Sequence, residues 1–260
     1  MKFSFISFII CFIICFFICL SVFCQTKSDS LSTSLLSTSQ DSANKGEAII
    51  SASFYNRYIW RGVNFTDAPS IQALFAYSKG SFEIGTYGAT TLNGDKRGYG
   101  NTIEIYATYK YKSFSVTVDD YFFYEAFDSL NNYFEYGKNT THFVEGRLRY
   151  DHSKFYILTG YVIHSRENDN TNGLYLEAGY YLNEYLKIVV GGVTSSSFLN
   201  FQDKGGITNI GIYGSKTVNI NSSFSFDVQT ALIASPNYKY VANIIVVARN
   251  PIHFLIGITF

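Results

Sequence analysis

Cysteine is confined to one end of this 260-residue chain. The four cysteines, Cys11, Cys15, Cys19 and Cys24, all lie within the first 24 residues. If that segment is removed on export, the mature chain has no cysteine, and disulfide frameworks, thiolate metal sites and cysteine nucleophiles are excluded together. We therefore expect an exported protein that no disulfide bond stabilises.

A surplus of charge is also missing, whereas aromatic residues are abundant. The chain has 20 basic and 20 acidic residues, so no net charge attracts it to nucleic acid, and we expect no such partner. Proline occurs only three times, but 24 Phe, 22 Tyr and one Trp make 18% of the chain aromatic. This composition favours β-strands joined by polar turns.

The N-terminal segment predicts export. Residues 1–24 have one early lysine and then an apolar run, which is typical of a secretory signal peptide cleaved near Cys24–Gln25. An uncleaved helical anchor is the alternative, because the run is long. A lipoprotein box ending at Cys24 fits poorly, since Phe23 is bulkier than the small residue expected there. Residues 25–46, rich in Ser and Thr, predict a flexible tail, and residues 47–260 form the remaining domain.

From Ala48 onwards the hydrophobic pattern has a period of two residues. In residues 102–111, TIEIYATYKY, Ile103 and Ile105 fall on one face, whereas Glu104 and Lys110 fall on the other. Such alternation predicts strands whose two faces meet different environments. The predicted strands cover residues 47–60, 70–79, 81–91, 101–111, 113–124, 139–150, 153–165, 171–182, 185–195, 206–217 and 219–234, with further strand-like sequence in 238–260.

The connections between these strands alternate in length. Those at 61–69, 92–100, 125–138, 166–170 and 196–205 are long, and those between them are tight. This alternation, with strands of about 10 to 13 residues, is typical of an up-and-down transmembrane β-barrel in the bacterial outer membrane. No apolar run of helical spanning length follows residue 24, so a closed barrel is the way to pair every backbone group in lipid. Bacterial barrels have even strand counts, so we predict twelve strands, with fourteen as the alternative.

The chain ends in PIHFLIGITF, where alternate residues up to Phe260 are apolar. A closing strand of this pattern resembles the signal that the barrel assembly machinery of the outer membrane reads. We therefore expect this machinery and outer-membrane lipid as partners. The alternative is simply the hydrophobic closing strand of a sheet.

The only tryptophan lies in RYIWRG, residues 57–62. In the first predicted strand, Tyr58 and Trp60 fall on the apolar face, at the far end of the strand, where an interfacial aromatic girdle is expected. Arg57 and Arg61 then face the lumen. We interpret Trp60 as a marker of the membrane boundary.

Further charged residues share the lumen side of the predicted strands. They are Glu83, Glu104, Lys110, Asp119, Glu145, Arg147, Arg149, Glu177, Lys187 and Asp227. In the first interpretation these charges neutralise one another and simply line the wall of the lumen. In the second they create an electric field across a constriction of the pore. Asp120 falls on the lipid side, so either a bulge re-aims it or it lies near an interface.

Several stretches resemble the TorF-type porin family of bacterial outer-membrane barrels. The resemblance covers most of residues 51–218, and its most specific part is RYIWRG followed by PSIQ; THFVEGRLRY and LYLEAGYYL are weaker. It implies an outer-membrane barrel of about a dozen strands in a Gram-negative cell. It implies no particular substrate, and the sequence after Ser235 departs from the pattern.

These features favour a porin-like channel with a narrow polar lumen and weak ion selectivity. The alternatives are a closed structural or surface-binding barrel, with residues 125–140 as a binding loop, and a membrane-embedded lipid-modifying enzyme using His142. We expect no enzyme, cofactor or metal site, because the chain has no G-x-S-x-G, no zinc spacing and no phosphate loop. The oligomeric state stays open.

Overall fold

A computed structural model describes residues 45–92, 101–123, 132–167, 171–236 and 251–260. The secondary structure in this part of the chain consists of β-strands, and no helix there is long and apolar enough to cross a membrane. The strands are β1 (Glu47–Tyr55), β2 (Tyr58–Trp60), β3 (Val63–Thr66), β4 (Ser70–Lys79), β5 (Phe82–Thr91), β6 (Thr102–Tyr111), β7 (Phe114–Phe123), β8 (His142–Asp151), β9 (Phe155–His164), β10 (Tyr175–Tyr181), β11 (Leu186–Val193), β12 (Gly206–Asn221), β13 (Phe224–Ala234) and β14 (Ile252–Thr259).

Twelve of these strands form a closed antiparallel barrel, which confirms the predicted fold class and strand count. From β4 to β14 each strand pairs with the next one in sequence, and β1 closes the ring between β14 and β4. The seam pairs Ser53 with Thr259 and Tyr55 with Gly257. The remaining two strands, β2 and β3, pair only with each other. The predicted signal peptide, and the tail up to residue 44, lie outside the described residues.

The two ends of the barrel differ. One end, the turn end, carries the tight connections at 80–81, 112–113, 152–154, 182–185 and 222–223. The opposite end, the loop end, carries longer connections, which include residues 56–69 and 194–205. The alternation expected from the sequence is therefore present, and residues 56–69 contain β2 and β3.

The outer wall is apolar. Alternate side chains of the barrel strands are large, hydrophobic and exposed, and examples are Ile50, Phe75, Ile84, Ile103, Leu148, Ile157, Leu176, Ile188, Ile212, Leu232 and Phe254. A continuous exposed apolar surface of this kind is typical of surfaces that meet a membrane or another protein. Because the backbone hydrogen bonds continue around the closed barrel, no sheet edge is left open, and a sheet in lipid must have no open edge. The fold therefore fits that of outer-membrane barrels.

The inner wall combines large aromatic side chains with glycine. Tyr156 of β9 lies across Gly179 of β10, where an added Cβ would stand 2.1 Å from the tyrosine Cε1 atom. Tyr55 lies in the same way across Gly257 at the seam. Glycine in these strands therefore makes room for an inward tyrosine, which is one of the positional roles that glycine has in sheets.

Candidate functional site

The segment RYIWRG builds a hairpin rather than the end of a wall strand. Trp60 pairs with Val63, so Arg61 and Gly62 are the two residues of the turn, with φ of 51° and 81°. Two positive φ values are required by the type I′ turn that favours two-residue hairpins, and glycine supplies one of them without strain. We call β2, β3 and this turn, residues 58–66, the lumen hairpin.

The lumen hairpin lies inside the barrel. Tyr58 packs against the inward Ala89 of β5, and Trp60 contacts Tyr121 of β7 at a ring-centroid distance of 5.5 Å. A Cβ on Gly62 would stand 2.0 Å from the backbone oxygen of Thr208, because the hairpin tip abuts the loop end of β12. The hairpin thus reaches from the β4–β5 side to the opposite wall.

A second segment, residues 197–202, fills the same end of the lumen. Ser197 and Gln202 form a bridge that brings Leu199 into a cluster with inward side chains of β7 to β9. Phe201 packs edge-to-face on Phe65 of the hairpin, with ring centroids 5.5 Å apart. Leu199 is only 1% exposed. Together the lumen hairpin and this segment close the loop end with packed aromatic and aliphatic groups.

The interpretation of Tyr58 and Trp60 as interfacial aromatics on the outer wall is therefore wrong. The first wall strand ends at Tyr55, and Asn56 hydrogen-bonds to β14 before the chain turns inwards. Side-chain parity can be counted only along one unbroken strand. Continuing that count past Tyr55 assigned Trp60 to the wrong environment.

Arg61 at the hairpin tip anchors the hairpin to the wall. Its Nη1 and Nη2 atoms donate to the two carboxylate oxygens of Glu145 at 2.8 and 2.7 Å. Its guanidinium also lies 4.3 Å from the ring centroid of Trp60 and 4.1 Å from that of Tyr175. Tyr121 donates a further hydrogen bond to Glu145. The Arg61 and Glu145 side chains are only 7% and 1% exposed, so neither charge has water as an alternative partner.

A second ion pair continues this network towards the turn end. Arg147 of β8 donates from Nη2 and Nε to the two carboxylate oxygens of the fully buried Asp119 of β7. Glu104 of β6 is hydrogen-bonded to Asp119. A hydrogen bond between two carboxyl groups needs a proton on one of them. Three carboxyl groups and two guanidinium groups therefore meet in the middle of the lumen.

The other predicted lumen charges form smaller groups. Glu83 accepts hydrogen bonds from Lys110 at 2.8 Å and Tyr106 at 3.0 Å. Glu177 accepts from Tyr156 and Tyr175, near Lys187. These contacts place Glu83, Lys110, Glu177 and Lys187 on the inward side, in line with the expected faces.

The charges at the two ends are more exposed than those in the middle. Arg149 pairs with Asp151 near the turn end and lies 3.8 Å from the ring centroid of Tyr156. Asp227 accepts a hydrogen bond from Thr217. Arg57 is not part of a wall strand: it pairs with Asp67 at the base of the lumen hairpin.

A cavity of about 360 Å³ remains on the β4–β6 side of the lumen. Its lining includes Tyr58, Trp60, Tyr87, Glu104, Tyr106 and Arg147. Within the described ranges, no group of three or more metal-ligating side chains is present that could hold an ion.

His142 and Asp120, both facing outwards, form a separate cluster near the loop end. His142 Nδ1 lies 2.7 Å from Asp120, and Nε2 lies 2.6 Å from the backbone oxygen of Tyr133. Tyr136 stacks on the imidazole and donates to Asp120. Burial, and then this bond to Asp120, raise the pKa of Tyr136, so its hydroxyl remains a donor. Both ring nitrogens are thus engaged, and Asp120 needs no bulge.

Phe260 lies on the barrel seam. Its amide donates to the backbone oxygen of Ala52 at 2.9 Å, and its ring stacks on Phe224 at a centroid distance of 6.1 Å. The side chain stays half exposed on the outer wall. Its role as an assembly signal stays a prediction.

Comparisons with family models and with curated proteins do not identify this site. No family model matches the chain, and no curated protein is significantly similar to it. The functional conclusion therefore depends on the geometry of the barrel and its lumen.

Proposed function

We propose that this protein is an outer-membrane barrel that provides a narrow, porin-like pathway for small solutes or ions, and that the lumen hairpin closes this pathway. The observation that carries the proposal is the combination of an apolar outer wall with an inner wall of charged and tyrosine side chains. A barrel that served only as a packed membrane anchor would gain nothing from desolvating so many charges inside it. The resemblance to TorF-type porins agrees with this proposal.

The size of the barrel supports a narrow pathway. Barrels of about eight strands are filled by their own side chains, whereas those with 16–18 strands leave an aqueous channel. Twelve strands lie between these cases. The lumen here is most exposed at the turn end, where the Lys110 side chain is 56% exposed, and most buried near the loop end, where Tyr175 is 1% exposed. The lumen is therefore more open at the turn end than at the hairpin end.

The Arg61–Glu145 pair is the expected latch of this obstruction. Removing one member of a buried ion pair leaves the other charge without compensation and costs about 3–5 kcal/mol. Because Arg61 belongs to the hairpin and Glu145 to the wall, that cost weakens the docking of the hairpin. Opening then requires movement of residues 58–66 while the wall remains intact.

A closed barrel that serves as a structural or surface-binding protein is the second candidate. The observation that favours it is the packing of the lumen hairpin against residues 197–202, which fills one end of the lumen with apolar groups. In that case hairpin movement has no role, and no variant of the hairpin creates a conducting state.

Conductance in planar bilayers separates the two candidates. We expect wild-type protein to open rarely, Arg61→Met to open more often, and deletion of residues 58–67 to conduct continuously. Arg149→Met is the matched control, because it also removes one lumen arginine but does not touch the hairpin. Far-UV circular dichroism and heat-modifiable electrophoretic migration verify folding. If the folded deletion variant does not conduct, the porin proposal is wrong and the closed barrel stands.

A further inference from the structure

The cavity beside the lumen hairpin has the size and lining of a ligand site. Its volume of about 360 Å³ falls within the range of roughly 300–1,000 Å³ that is common for small-molecule pockets. Half of its lining residues are aromatic: Tyr58, Trp60, Tyr87, Tyr106, Tyr121 and Phe123. The lining extends towards the turn end as far as Glu83, whose partner Lys110 is exposed, so a solute can enter from that end.

The charges in the lining of this cavity are compensated by other described residues. Glu83 is bonded to Lys110, and Arg147 donates two hydrogen bonds to the carboxylate of Asp119. Because Asp119 is already the carboxylate partner of Arg147, the proton in its hydrogen bond to Glu104 lies on Glu104, which is therefore neutral. An ion that entered the cavity would lose its hydration without meeting an uncompensated opposite charge. The lining therefore favours a neutral solute.

The compensated groups still have hydrogen-bonding capacity for a neutral solute. Arg147 uses Nε and Nη2 on Asp119, and its side chain is 27% exposed, which leaves Nη1 as a further donor. The carboxylate of Glu83 has lone pairs beyond those that accept from Lys110 and Tyr106. The lining thus offers both donors and acceptors. Hydroxyl groups suit it, since each hydroxyl both donates and accepts.

Tyr106 adds a flat apolar surface to the same cavity. Its ring lies across Gly85 of the neighbouring strand, where an added Cβ would stand 2.7 Å from the tyrosine Cζ atom. The ring also lines the cavity, so its side away from the wall faces the solute. The hydroxyl donates to Glu83, which fixes the orientation of the ring. The negative face of an aromatic ring attracts weakly positive C–H groups, so a ring of C–H groups with hydroxyls at its rim is the solute that fits.

We propose that this cavity binds a neutral pyranose, with one face of the sugar ring stacked on Tyr106 and its hydroxyl groups hydrogen-bonded to Glu83 and Arg147. The inference rests on the proposed function, because it names the class of solute for the same lumen. The two nevertheless fail separately. A barrel that binds the sugar but never conducts rejects only the porin proposal, and a barrel that conducts but does not bind the sugar rejects only this inference.

Trp60 allows a direct test, because it is the single tryptophan of the chain and lines the cavity. The barrel, refolded in a detergent without sugar headgroups, is titrated with D-glucose while Trp60 emission is recorded, and saturation-transfer NMR of the sugar measures binding in parallel. We expect a saturable response with half-saturation at about 1–10 mM. Sorbitol, the open-chain alcohol of glucose, has the hydroxyl groups without the ring and is expected to give none. Glucuronate has the same ring with a negative charge and is expected to bind at least about tenfold more weakly.

Three variants identify the stacking residue. Tyr106→Leu removes the aromatic face and is expected to weaken glucose binding at least about tenfold, whereas Tyr106→Phe keeps that face and should bind within about threefold of the wild type. Tyr156→Leu is the matched control and should bind like the wild type. Tyr156 also lies across a glycine and donates to a glutamate, but it is not in the cavity lining. Far-UV circular dichroism verifies folding. If Tyr106→Leu does not fold, Glu83→Ala replaces it and is expected to weaken binding at least about threefold.

The proposal is overturned by an equal saturable response to sorbitol, or by glucuronate binding as tightly as glucose. It is equally overturned by undiminished glucose binding to folded Tyr106→Leu, or to Glu83→Ala in its place, and by the absence of both an emission change and saturation transfer with glucose.

Discussion

The Nδ1 atom of His142 lies 2.7 Å from the Oδ1 atom of Asp120, on the outer face of the barrel, with Tyr136 stacked over the imidazole. The other ring nitrogen contacts the carbonyl oxygen of Tyr133. Since carboxylate and carbonyl oxygens both accept, the cluster holds a proton on each nitrogen or one on Asp120. Two polar side chains on an apolar wall are thereby covered by the chain around Tyr133 and Tyr136.

Breaking the His142–Asp120 pair should loosen the packing of residues 132–140 over it. We expect His142→Phe to lower the free energy of unfolding by roughly 3 kcal/mol, because it leaves Asp120 without its partner on an apolar wall. Asp120→Leu together with His142→Phe should recover most of the loss. Urea unfolding of the two single variants, His142→Phe and Asp120→Leu, and of the double variant in detergent gives the coupling energy, and hydrogen exchange at residues 132–140 reports the loop. Strictly additive effects would show that the two side chains do not interact.

Gly62 and Gly80 provide a matched test of hairpin docking. Both have positive φ, but a Cβ on Gly62 would meet the Thr208 carbonyl oxygen, whereas a Cβ on Gly80 would meet nothing within 4 Å. Gly80→Ala should therefore cost only backbone strain, about 1–2 kcal/mol. Gly62→Ala adds a steric clash with backbone and should cost roughly 3–4 kcal/mol. If the two variants lose the same free energy of unfolding in urea, the hairpin tip does not abut β12.

Gly160 tests the latch from the wall side. A Cβ there would stand 2.4 Å from Oε1 of Glu145, which Arg61 and Tyr121 hold in place. We expect Gly160→Ala to displace Glu145 and raise the frequency of opening as Arg61→Met does. Gly146→Ala, where a Cβ meets nothing within 4 Å, is the control and should behave like wild type. If the opening frequency of Gly160→Ala equals that of the wild type, Glu145 does not hold the hairpin in place.

Quenching by brominated lipid tests the orientation of the wall. Trp60 lies inside the barrel, so its emission in vesicles should respond weakly to lipids brominated on the acyl chain. Trp60→Phe combined with Phe75→Trp moves the single tryptophan to an exposed outer-wall position and should be quenched strongly. Strong quenching of Trp60 in the wild type, or none at position 75, would contradict this placement.

The architecture of the wall could be predicted from the sequence because a side chain on a barrel strand points either to the lumen or to the outside. Glu104 and Ile105 face opposite sides whatever the rest of the chain does. The closed barrel follows from repeating this pattern with alternating loop lengths, whereas the count of twelve also needed the rule that bacterial barrels have even strand numbers, which left fourteen open. The lumen hairpin was missed because alternation continues through it: the two-residue turn of Arg61 and Gly62, flanked by short apolar runs, was the available signal.

The contacts across the lumen could not be predicted in this way. Parity states that Glu104, Glu145 and Arg147 point inwards, but which side chains meet across the lumen depends on strand register and on how far the hairpin descends. The His142–Asp120 pair illustrates the same limit on the outer wall. Each residue was noticed separately, as an outward histidine and an outward carboxylate, and only the register that sets β7 beside β8 brings them together.

The seam between β1 and β14 joins Ser53 to Thr259, which are 206 positions apart. From this separation we expect a particular order of folding. Closing so long a loop has an entropic cost that only prior pairing of the intervening strands can offset. The lumen hairpin follows β1 directly, whereas its partners Glu145, Tyr175 and Phe201 are added with later strands. We therefore expect the interior to assemble while the wall is still an open sheet and to be enclosed last. Loss of β14 would leave an open sheet with two unpaired edges, on β1 and β13, the condition that favours aggregation.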